Sequence, residues 1–197
     1  MEPFIVHTGR AVPLRRSNVD TDQIIPSDYL KRVTRTGFED GLFEEWRSAG
    51  DFILDRPEYV GASILIAGPD FGTGSSREHA VWALQDGGFK AVVSSRFADI
   101  FRGNALKGGL LPVTLPADVV ETLMAGAEAD PTTEVTIDLN ALEVRVGSRT
   151  FPFELEESSR YRLLNGLDDI GITLLNQDDI STFEGARASY LPTTVAR

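Results

Sequence analysis

The sequence contains no cysteine and only two histidines, His7 and His79, among its 197 residues. Without thiols the chain can form no disulfide, use no cysteine nucleophile, and hold no thiolate-bound zinc or iron-sulfur cluster. Having only two histidines argues against a self-contained metal site, and the chain is expected to bind no metal or cofactor by itself. Long apolar runs are also missing. No segment reaches the roughly 18 to 20 residues that a bilayer-spanning helix needs. The opening residues, with Glu2, Pro3 and His7, lack the basic-then-apolar order of a secretion signal, and a cytoplasmic location is expected. Positive charge is scarce as well: 19 Lys and Arg stand against 30 Asp and Glu, giving a net charge of -11. That balance argues against nucleic acid as the main partner, because phosphate binding rests on a basic surface. An anionic small molecule can bind only where donors are gathered locally.

What is present describes a soluble globular chain: 42% hydrophobic and 25% charged residues, and enough length to bury a core. We read residues 1–197 as a single domain, with 158–197 as a C-terminal helical extension and tail. Phe4 to Leu14 suggests short strands broken by Gly9 and Pro13. Ser17 to Asp22 is turn-forming, and Lys31 to Gly41 reads as an exposed basic loop. The run Ser63 to Gly68 fits a buried strand. A glycine turn comes next, then a helix from Ser75 to Asp86 and a second strand at Ala91 to Ser95. This order implies a parallel pair with a right-handed crossover. A helix from Phe97, a strand near Leu110 and a helix from Pro116 succeed them. The alternating stretches Glu134 to Asn140 and Leu142 to Val146 predict a hairpin with one wet face. A helix from Ser158 and one further short helix within 167–183 precede a loosely anchored end from Ala186. The class is mixed α/β.

The chemistry concentrates in Gly68-Pro69-Asp70-Phe71-Gly72-Thr73-Gly74-Ser75-Ser76-Arg77-Glu78-His79. Gly72 and Gly74 permit positive φ and close approach of backbone N–H groups to a ligand. A helix start favours an anion through its free N–H groups and its dipole. Ser76 adds a hydroxyl, and Arg77 can grip a carboxylate through two donors. A second reading stands beside this one. Ser75-Ser76-Arg77-Glu78 fits a capping box, with Ser75 as cap and Glu78 reaching back. Nucleotide binding ranks low, since the third glycine of the dinucleotide fingerprint and a Walker lysine are both missing.

The stretch Gly72-Thr73-Gly74-Ser75-Ser76-Arg77-Glu78-His79-Ala80 resembles the signature of the aconitase swivel domain. Asn18-Val19-Asp20-Thr21-Asp22-Gln23-Ile24-Ile25-Pro26 resembles the early motif of isopropylmalate isomerase small subunits. The segment Ser95-Arg96-Phe97-Ala98-Asp99-Ile100-Phe101-Arg102-Gly103-Asn104 through Pro112 is similar to the segment after the signature in that family. The later region with Gly166-Leu167-Asp168-Asp169-Ile170 and Phe183-Glu184 resembles the longer bacterial form. The resemblance implies a swivelling β/β/α domain with a small central mixed sheet flanked by helices. It also implies a hydro-lyase of leucine biosynthesis, active only with a large subunit whose cysteines hold a [4Fe-4S] cluster, and a possible homo-oligomer when isolated.

By the same resemblance Ser75 stands where the family places its serine base, and Arg77 where a substrate carboxylate binds. Ser76, Gly72 and Gly74 line the substrate. Asp22 matches an active-site aspartate, although an Asp in a polar turn is also a common cap. His79 reads as a packed histidine rather than a base, and His7 carries no signal. A third carboxylate in aconitase-type enzymes meets an arginine shortly after a Leu-Lys pair. Aligned on Leu30 and Lys31, that place falls near Val33, which suits an isopropyl group. The specificity loop then comprises Tyr29, Leu30, Lys31, Arg32 and Val33, and a plain solvated loop remains the other reading. Open alternatives are a related hydro-lyase, such as homoaconitase or a citraconate or methylmalate hydratase, and a non-catalytic anion-binding module.

Overall fold

The computed structural model describes residues 1–75, 77–188 and 190–191. A seven-stranded mixed sheet runs through the molecule in the order β4-β3-β2-β1-β5-β6-β7. Strand β1 (Val6–Leu14) leads to two short helices, α1 (Thr21–Ile24) and α2 (Glu44–Ser48). Then β2 (Ile64–Ala67), α3 (Glu78–Asp86), β3 (Ala91–Ser94), α4 (Asp99–Gly108) and β4 (Leu111–Thr114) alternate. Helix α5 (Ala117–Ala129) returns the chain to β5 (Glu134–Asp138), β6 (Glu143–Val146) and β7 (Arg149–Pro152). Helices α6 (Glu157–Asn165), α7 (Asp169–Leu174) and α8 (Gln177–Ala186) complete the order.

Strands β1 to β4 pair in parallel, whereas β5 to β7 are antiparallel. The parallel half is covered on both faces, and the alternation of its side chains divides the core in two. Val12, Leu14, Leu65, Ala67 and Val92 face one layer, together with Ile24, Ala80, Leu84 and Phe101 from the helices and Phe43 just ahead of α2. Ala11, Ile64, Ile66, Ala91 and Val93 face the other, against Val120, Leu123 and Met124 of α5 and Leu163 of α6. Each fully buried Leu, Ile or Phe contributes about 1.5 to 3 kcal/mol, so both layers hold the sheet in register.

Several expectations change. Gly9 and Pro13 do not break the first strand, which runs unbroken from Val6 to Leu14. Its first half pairs with β5 as far as Arg10 and its second half with β2 from Ala11. Pro13 therefore lies where one flank of the strand has already lost its neighbour, a place that tolerates a missing N–H. The sheet is larger than expected because β7 adds an exposed edge strand. Two helices, not one, occupy 169–186. Of the end expected to be loosely anchored, Ser189 and 192–197 lie outside the described residues.

Candidate active site

The three singled-out motifs meet beyond the carboxyl ends of β1, β2 and β3, where parallel sheets commonly place their ligands. Backbone hydrogen bonds stitch them together. After β1, Asn18 N–H donates to the Pro69 carbonyl at 2.9 Å. The Gly72 and Thr73 amides both donate to the Val19 carbonyl, at 2.7 and 3.1 Å, and Thr21 N–H donates to the Thr73 carbonyl at 2.9 Å. On the other side, Phe71 N–H donates to the Arg96 carbonyl and Ala98 N–H to the Phe71 carbonyl. Buried Ser94 donates its hydroxyl to the Gly68 carbonyl at 2.7 Å. Asp70 receives the Arg96 guanidinium through two donors, which holds its carboxyl below the ordinary range.

This stitching overturns the capping-box reading. Helix α3 begins at Glu78, with Arg77 as its N-cap residue and no side chain capping it. The Ser75 carbonyl instead accepts from the buried Thr21 hydroxyl at 2.9 Å, and Gly74, at φ +88°, turns the chain out of helical geometry. The expected helix start is thus three residues early. Ser75 is exposed, and its hydroxyl makes no hydrogen bond among the described residues. The box exists elsewhere: Asp20 caps α1 by accepting from Gln23 N–H at 2.7 Å, and Gln23 Oε1 accepts from Asp20 N–H at 3.1 Å. The Asp-x-x-Gln spacing was the available signal, because it matches the same reciprocal pattern. Asp22 is therefore not the cap.

Asp22 pairs with Arg77 from 55 positions away. The Arg77 side chain is 17% exposed and that of Asp22 54% exposed. Among the described residues one guanidinium nitrogen is engaged, by Asp22, which leaves Arg77 further donors for a ligand carboxylate. A cation at a helix start opposes the dipole, which makes Arg77 costly as a structural device and apt as an anion ligand. Gly72 shapes the loop rather than donating to a ligand, since its amide is consumed by Val19. The Gly74 amide has no acceptor among the described residues. Ser76 lies outside the described residues.

Asp22, Gly74, Ser75 and Arg77 thus lie on the segments that these bonds join, with Asp22, Gly74 and Ser75 exposed and Gly72 buried. Val33 is 99% exposed. Tyr29, Leu30 and Lys31 form a single 3-10 turn within Ser27–Lys31. The loop is less basic than its composition suggests: Lys31 pairs with Asp28 at 3.0 Å and Arg32 with Asp40 at 2.7 Å. His79 packs its ring against Phe38 and Trp82, and burial pushes its pKa down. His7 shares a hydrogen bond with the Ser63 hydroxyl at 2.7 Å.

The Aconitase C-terminal domain family matches residues 1–118, and the LeuD_N family matches 121–157. The 3-isopropylmalate dehydratase small subunit of Streptomyces griseus is 67% identical over 196 residues, covering 100% of both chains. That of Parafrankia sp. (strain EAN1pec) is 66% identical over 194 residues, covering 98% of this chain and 100% of the relative. Among solved structures, 3-isopropylmalate dehydratase of Methanocaldococcus jannaschii aligns with a TM-score of 0.68 at 28% identity. The match covers 92% of this chain and 100% of that one.

Proposed function

Matched along its whole length by 3-isopropylmalate dehydratase small subunits, this chain belongs to that family, and on that premise we propose that it forms half the active site of a two-chain hydro-lyase. The complex interconverts 2-isopropylmalate and 3-isopropylmalate by dehydration and rehydration, a step of leucine biosynthesis. The observation that carries the site assignment is the convergence of Asp22 and Arg77 at the uncapped start of α3, beside an exposed Ser75.

The residues present do not fit the [4Fe-4S] cluster that the family implies. The chain has no cysteine, and no group of three or more His, Asp or Glu among the described residues could hold a metal ion. The cluster is assigned to the large subunit, and only this chain's own contribution is derived.

Arg77 grips one carboxylate of the diacid and Asp22 steadies the guanidinium. Ser75 takes the proton from the carbon beside that carboxylate and returns it on rehydration. A serine does this only where positive potential stabilises its alkoxide. Arg77, the first N–H groups of α3 and the Gly74 amide supply that potential. Negative charge that builds on the substrate carboxylate as the proton leaves is met by the same guanidinium, so base and anion share one electropositive patch.

The test is reconstitution with the large subunit and turnover of 3-isopropylmalate, homoaconitate and methylmalate. Preference for 3-isopropylmalate is expected, with Arg77→Ala losing about 10- to 100-fold in kcat/KM, as for a charge-assisted hydrogen bond. A fully active Arg77→Ala complex removes the site assignment. Tight dicarboxylate binding by the chain alone, without catalysis in any complex, replaces the enzyme reading with an anion-binding module.

A further inference from the structure

Contacts run from the first turn of α1 to alternate residues of the glycine loop. Thr21 N–H donates to the Thr73 carbonyl at 2.9 Å, the Thr21 hydroxyl donates to the Ser75 carbonyl at 2.9 Å, and the Asp22 carboxylate takes the Arg77 guanidinium. The turn that makes them is itself fixed. Asp20 and Gln23 close a reciprocal cap on it, Ile25 N–H donates to the Thr21 carbonyl at 3.0 Å, and Ile24 and Ile25 are fully buried. Thr21 is 2% exposed, and its branched side chain is stiff. A hydroxyl so buried needs a partner, and the Ser75 carbonyl is the acceptor it has. Ser75 has the opposite character. It is exposed, it follows Gly74 at φ +88°, and its own hydroxyl is unbonded among the described residues. The place of that hydroxyl is therefore set by the backbone that bears it.

We propose that Thr21 is a positioning residue for the proton transfer: its buried hydroxyl holds the Ser75 peptide so that the Ser75 hydroxyl faces the carbon beside the carboxylate that Arg77 grips. The inference rests on the reading that Ser75 is the base. The Ser75 carbonyl carbon is bonded to the α-carbon that carries the reactive side chain, so the bond from Thr21 acts directly at the root of that arm. Helix α1 then aligns base and anchor together, because the neighbouring Asp22 steadies Arg77. A displacement of about 1 Å at a reacting group costs on the order of 100-fold in rate, and a loop with glycines at 72 and 74 has little stiffness of its own. Thr21→Val keeps the branched shape and leaves the Ser75 carbonyl without its donor.

In the reconstituted complex, kcat and KM for 3-isopropylmalate are measured for wild type, Thr21→Val, Thr21→Ser, Ser75→Ala and the double variant of Thr21→Val with Ser75→Ala. Thr21→Val is expected to lower kcat by about 10- to 100-fold with KM within about twofold of wild type. Thr21→Ser, which restores the donor, is expected to recover kcat to within about threefold of wild type. In the Ser75→Ala background Thr21→Val should change the residual turnover by less than about twofold, since there is no base left to place. General structural damage lowers turnover by the same factor in both backgrounds, and that result overturns the proposal. So does a Thr21→Val complex within about threefold of wild type in kcat, or a Thr21→Ser complex as slow as Thr21→Val. Should Thr21→Val fail to fold, Thr21→Ala takes its place in the same cycle. A fully active Ser75→Ala complex removes the base reading and this proposal with it, whereas an inactive Ser75→Ala beside an active Thr21→Val removes the proposal alone.

Discussion

Gly72 meets two demands that a larger residue cannot. Its φ is +82°, and a Cβ there would stand 2.2 Å from the Phe101 ring. Gly72→Ala therefore combines left-handed strain with overpacking and is expected to cost about 2 to 4 kcal/mol, read as a lower urea midpoint. Ser75 makes the opposite prediction, since it caps nothing. Ser75→Ala should leave stability within about 0.5 kcal/mol of wild type while turnover of the complex falls by about 100-fold or more. A stability loss above about 1 kcal/mol would return Ser75 to the role of a cap.

Among elements, α7 is tied to the rest of the chain by polar contacts at its start. Neither α7 nor α8 has a buried residue. Asp169 at the start of α7 pairs with Arg162 and Lys107, and Asp168 accepts from Gly171 N–H at 2.7 Å. The hydrogen bond from Arg162, with help from Lys107, holds the Asp169 carboxyl below the ordinary 3.8. A carboxyl whose folded pKa is depressed stabilises above the unfolded value, and that contribution is lost as pH falls through the folded one. Acid should therefore release α7 before the sheet. Asp169→Asn should do the same at neutral pH: hydrogen exchange is expected to speed up in 169–174 and stay slow in β2 and β3. Unchanged exchange in 169–174 would show that other contacts hold the helix.

Across the whole molecule, both histidines face the same direction of titration. Burial is the largest cause that lowers the pKa of His7 and of His79 from 6.5. The unfolded chain then binds more protons than the folded one between the depressed values and 6.5, so stability rises with pH through that window. It is fully present above 6.5 and erodes as pH drops. The urea midpoint is expected to fall between about pH 7.5 and 5.5, and His7→Gln with His79→Gln should flatten the slope. A slope unchanged in the double variant would place the titration elsewhere.

Features that depend on neighbouring residues were legible in the chain itself. The run at Ile64 to Ala67, the glycines after it and the apolar spacing of Ala80, Val81, Ala83 and Leu84 impose strand, turn and helix through local sterics and period. The missing cysteines removed thiolate cluster ligands by composition alone. What only the folded chain decided involves partners distant in sequence. Asp22 and Arg77 meet because β1 and β2 lie side by side. Helix α3 starts at Glu78 because Asp20 and Thr21 hold the loop ahead of it extended. Gly9 and Pro13 pass through β1 because different strands flank its two halves. In each case a hydrogen bond or a pairing edge from elsewhere in the chain outweighed a local preference worth about 1 kcal/mol or less.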